Sequence, residues 1–89
     1  MNGFMLIRHK VKNFTTWKAG YDAHAPKRVE AGLTEKYLLR SILAPNEVVI
    51  LFEAQDVERA QAFAESTDLR ETMQNVGVID RPDIYFLNR

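Results

Sequence analysis

The chain has 89 residues, 46% of them hydrophobic, with 12 basic and 12 acidic side chains, a formal net charge of zero and no cysteine. That balance excludes a disordered chain, disulfide staples and thiolate zinc sites, and it gives no basic excess for nucleic acid. No apolar run approaches the roughly 20 residues of a membrane helix, and the charged start at Met1–Lys10 is not that of a secretory signal. One domain over residues 1–89 is expected, in a reduced, cytoplasmic setting.

Phe4 to Val11 reads as a first strand, rich in large and β-branched residues. Asn13 to Ala31 reads as a helix, with Asn13, Thr15 and Thr16 as cap candidates, Pro26 as an expected kink and Gly32 as its stop. Thr34 to Leu43 is a second strand, Ala44-Pro45-Asn46-Glu47 a tight turn, and Glu47 to Ala54 a third strand. Asp56 caps a second helix, which is expected to break at Ser66-Thr67-Asp68 and restart on a capping box of Asp68 and Glu71. Gly77 ends it, and Ile84 to Leu87 is the last strand.

The order β-α-β-β-α-β is the split arrangement of the ferredoxin-like sandwich, an α+β fold with a four-stranded antiparallel sheet and both helices on one face. Such a sheet should have one apolar and one polar face. Here Val48 to Phe52 and Ile84 to Leu87 run apolar without a break, and the second strand has Leu38 on one side with Tyr37 and Leu39 on the other. Both faces are apolar, and helices cover only one. A homodimer packed sheet to sheet, most simply about a two-fold axis, resolves the surplus.

Several stretches resemble small bacterial dimeric α+β barrel proteins, grouped with the antibiotic biosynthesis monooxygenases or with cyclases. They are Arg8-His9-Lys10-Val11 with Trp17, Tyr21-Asp22-Ala23-His24-Ala25, Ala31-Gly32, Asn46-Glu47-Val48-Val49, Asp68-Leu69-Arg70 with Met73, and Pro82 to Leu87. The resemblance covers nearly the whole chain. It implies the fold, the homodimer and an aromatic substrate held between helix and sheet. Haem-degrading relatives use an asparagine, a tryptophan and a histidine. Here no asparagine occupies the centre of the first strand, which departs from that pattern.

At 100° per residue, Phe14, Trp17, Tyr21, His24, Arg28 and Ala31 share one arc of the first helix. Aromatics on that face are core, but His24 and Arg28 need polar partners if buried. His9, with Met5, Ile7 and Val11, falls on the helix-facing side of the first strand. His9 and His24 then approach one pocket as candidate acid/base residues, since imidazoles titrate near neutrality. Trp17, Tyr21, Arg28 and Tyr37 are the candidate substrate-binding residues. Two histidines without a carboxylate make no metal site, and no glycine-rich loop marks a nucleotide, so neither metal nor cofactor is expected. The leading reading is a homodimeric small-molecule-binding protein that acts as a cofactor-independent monooxygenase on an aromatic or polyketide-like compound. The alternatives are a polyketide cyclase or isomerase and a non-catalytic ligand-binding dimer. Neither nucleic acid nor membrane is an expected partner.

Overall fold

The computed structural model describes residues 2–89. Strand β1 (Gly3–Lys10) buries alternate residues: Met5, Ile7 and His9 point inward, and Phe4, Leu6 and Arg8 outward. Successive side chains leave a strand on opposite faces, so one covered face produces this pattern. Asn13 then starts α1 (Phe14–Ala23), its Oδ1 accepting the Thr16 N–H at 3.0 Å.

The single helix expected over Asn13–Ala31 is two. It breaks at His24, and α2 spans Ala25–Glu30 with Pro26 in its first turn. Proline offers no N–H to the preceding turn and its ring crowds the carbonyl there. The His24 N–H is instead shared between the Gly20 and Tyr21 carbonyls, at 3.1 and 3.2 Å. Gly32, at φ +75°, turns the chain into β2.

Strand β2 (Leu33–Arg40) ends three residues earlier than expected. The Ala44 N–H donates to Ser41 Oγ at 3.2 Å, and the Glu47 N–H donates to the Ala44 carbonyl at 2.8 Å. The second bond closes the expected tight turn. The first belongs to a loop that leaves Ile42 and Leu43 each 95% exposed. Strand β3 (Glu47–Ala54) follows, and Asp56 opens α3 (Val57–Ala64) by accepting the Glu58 N–H at 2.9 Å.

The second helix breaks where expected, but α4 (Thr67–Asn75) starts on Ser66 rather than on Asp68. Ser66 keeps an extended backbone, and its Oγ accepts the Leu69 N–H at 3.2 Å while donating to the Phe63 carbonyl at 2.7 Å. Asp68 already lies in the first helical turn, which leaves its carboxylate for another partner. Strand β4 (Asp83–Leu87) completes the sheet.

The sheet order is β2-β3-β1-β4, and every pairing is antiparallel. This is the ferredoxin-like α+β arrangement. Its core lies between one sheet face and the helices: Met5, Ile7, Val48, Ile50 and Phe52 meet Trp17, Tyr21, Val57 and Ala60. Trp17 is 2% exposed, and truncating such a residue typically costs about 3–5 kcal/mol. Among the described residues no helix is long and apolar enough to cross a membrane.

One irregularity bears on the site. In β2 the register shifts at Lys36: Glu35 pairs with Phe52, but Tyr37 pairs with Leu51. The extra residue changes the phase of alternation. Glu35 stays on the helix side, and Tyr37, which an unbroken strand would place beside it, turns outward.

Candidate functional site

Strand β1 runs toward Lys10, and α1 returns over it. The return stacks a row of rings along the sheet. His9 meets the Trp17 ring edge-on at 5.5 Å, Trp17 stacks on Tyr21 at 4.9 Å, and the Arg28 guanidinium lies 3.6 Å from the centre of the Tyr21 ring. Arg28 holds this place across the helix break because its Nη1 donates to the Tyr21 carbonyl at 2.7 Å. Beside the row is a cavity of about 50 Å³, lined on its far side by Phe63, Leu69, Thr72 and Met73 from α3 and α4.

His9, His24, Trp17, Tyr21 and Arg28 all line this cavity. Tyr37 does not: it stands on the opposite face of the sheet, 61% exposed, because of the register shift at Lys36. Two residues missed from the sequence join the site, Glu35 and Asp68. The Tyr21 hydroxyl donates to Glu35 Oε1 at 2.7 Å, and His24 Nε2 lies 3.1 Å from Asp68 Oδ2.

The two histidines differ in kind. His9 is 3% exposed, and neither ring nitrogen has a hydrogen-bond partner. Burial pushes its pKa from 6.5 down to about 4, a shift that Asp80 opposes and Arg8 reinforces. At neutral pH His9 is therefore an uncharged imidazole with one donor and one acceptor to offer. His24 sits near the rim, its ring stacked on Phe63 at 5.9 Å. Since a carboxylate accepts, the Asp68 contact fixes the proton on Nε2 and leaves Nδ1 to take another.

Tyr21 is held as a phenol. Burial and the Glu35 hydrogen bond both raise its pKa above the ordinary value, so it donates rather than acting as a base. Burial lowers the pKa of Arg28, yet a guanidinium stays charged in any such setting. Among the described residues no group of three histidine, cysteine or acidic side chains is placed to hold a metal ion.

No protein-family model matches the chain, and no curated protein does. Solved structures match it along its length. One is a Bordetella bronchiseptica protein described as an antibiotic biosynthesis monooxygenase, with 21% identity, a TM-score of 0.73, and 98% of this chain and 97% of that one covered. The chain has the fold of the antibiotic biosynthesis monooxygenase-like proteins. A Caulobacter crescentus protein of the same description is similar at TM-score 0.75 and 14% identity, covering 99% of this chain and 89% of that one. SnoaB from Streptomyces nogalater, a cofactor-independent oxygenase, is similar at TM-score 0.71 and 11% identity, over 99% of this chain and 94% of that one.

Proposed function

We propose that the protein is a homodimeric, small-molecule-binding monooxygenase that acts without a cofactor on an aromatic or polyketide-like compound held between α1 and the sheet. The observation that carries this reading is the meeting of two unlike histidines on one aromatic-walled cavity. His9 is a neutral hydrogen-bonding group with no partner of its own, and His24 is an imidazole backed by a carboxylate. The likeness of fold to SnoaB supports it.

In this mechanism His24 Nδ1 takes a proton from an activated ring CH₂ or enol, and Asp68 stabilises the imidazolium. The carbanion gives one electron to dioxygen, and the radical pair joins to form a peroxide at that carbon. The peroxide takes up a proton from His24 and then loses water, leaving a carbonyl. Both atoms of dioxygen are accounted for, one in the product and one in the water. The His9 ring holds a substrate oxygen, while Trp17 and Tyr21 wall the ring plane. A cavity of about 50 Å³ is a third of the ~150 Å³ that holds benzene. Substrate entry therefore displaces the α4 side chains, and α4 has no buried residue to resist this.

Oxygen uptake with a panel of phenols and quinols tests the reading. His24→Ala is expected to lower kcat by about 10²–10⁴-fold, the usual worth of a general base. Absence of uptake with every member sinks the oxygenase, and turnover to a rearranged product without uptake favours an isomerase or cyclase.

The dimer half of the proposal rests on the other sheet face. Tyr37, Leu51, Leu6 and Tyr85 form one apolar row across all four strands, with Tyr37 and Tyr85 61% and 53% exposed. Covering such a row with a second copy removes it from water.

A further inference from the structure

The two ends of the ring-lined cavity are chemically different. One end is His9, near the end of β1, with both nitrogens unpaired and apolar Ile7 and Ile50 as the next sheet residues in the lining. A water there would find no further protein partner on the sheet, and a buried water needs two to four. A ligand atom that both donates and accepts would satisfy the imidazole, and a hydroxyl does this.

The other end is Arg28. Its guanidinium is fixed in orientation by the Tyr21 ring and by one bond from Nη1, which leaves further N–H groups of the fork uncommitted. Among the described residues no carboxylate lies within ion-pair distance of it. The nearby Glu35 is engaged by the Tyr21 hydroxyl. An oriented, half-buried guanidinium of this kind matches a carboxylate.

The separation of the two ends follows from the register. Tyr21 reaches Glu35, Glu35 pairs with Phe52, and Phe52 pairs with Met5. Arg28, stacked on Tyr21, therefore sits near the level of Met5, four residues from His9 along β1 and about 13 Å away at ~3.3 Å per residue. A benzene ring with a substituent at each end, plus a hydrogen bond of about 3 Å on either side, covers a span of that order.

We propose that the cavity takes a small para-hydroxylated aromatic acid, its hydroxyl on His9 and its carboxylate on Arg28. The inference rests on reading this cavity as the substrate site, and it narrows the substrate to an anion with a phenol at the far end. Arg28 is then the residue that determines specificity.

Calorimetric titration with 4-hydroxybenzoate, benzoate and phenol tests it. Wild type is expected to bind 4-hydroxybenzoate at least tenfold more tightly than either of the others. Arg28→Met should erase the advantage over phenol while leaving phenol binding within about twofold. Because a change at His9 disturbs the core, its end is read by ¹⁵N shifts of the His9 ring, which should move with 4-hydroxybenzoate and phenol but not with benzoate. Equal affinity for phenol and 4-hydroxybenzoate, unchanged binding in Arg28→Met, or a silent His9 ring overturns the proposal. Quinol oxidation with no preference for the hydroxy acid defeats this inference and leaves the oxygenase standing. The preference without any oxygen uptake does the reverse.

Discussion

At the scale of single residues, His9 links the site to stability. Its folded-state pKa of about 4 lies below the ordinary 6.5. Between those values the unfolded chain binds a proton that the folded protein refuses, so stability is full above pH 6.5 and falls as pH drops toward 4. Roughly 3 kcal/mol is lost across the window, about 2 of it by pH 5. Burial raises the Asp80 carboxyl, but the Lys10 N–H and the Arg8 guanidinium outweigh this and hold it below its usual 3.8, so its own loss falls at lower pH. Urea unfolding at pH 7.5 and pH 5 is expected to show the difference in wild type and to show it largely abolished in His9→Phe. Equal pH dependence in the two proteins would mean that His9 is hydrated or paired in solution.

At the scale of elements, the helix joints carry the next expectations. Ser66→Ala removes the acceptor for the Leu69 N–H and should cost about 1 kcal/mol, seen as a lower Tm without change in oligomeric mass. Gly20 lies where α1 crosses the end of α4, and a Cβ there would overlap the Val76 side chain. Gly20→Ala should destabilise by about 1–3 kcal/mol, the usual cost of overpacking, and Val76→Ala in the same chain should return part of it. The strand and helix order was legible because apolar periodicity, Asn13, Asp56 and the two positive-φ glycines mark it locally. The partner of His24 was not, since Asp68 is 44 residues away and carries a local signal of its own as a helix cap. Nor did anything within Leu33–Arg40 announce the shift at Lys36 that turns Tyr37 away from the cavity.

At the scale of the whole molecule, the outward row predicts association. Light scattering at micromolar concentration should give twice the mass of the chain. Leu51→Arg, in the middle of the row, should halve that mass while the far-ultraviolet circular dichroism stays unchanged. A wild-type mass equal to one chain would reject the dimer and leave the cavity argument untouched. The shift at Lys36 also separates two kinds of change in one strand. Ahead of it, at Leu33 and Glu35, substitutions reach the helix side and alter what the cavity admits. Beyond it, at Tyr37 and Leu39, the opposite parity faces out, onto the face proposed to pair two copies. Lys36 is the extra residue of that shift, so losing it would leave Glu35 opposite Phe52 and Tyr37 opposite Leu51; a one-codon deletion there is expected to spare both ligand binding and pairing of copies, where a point substitution on either side damages one.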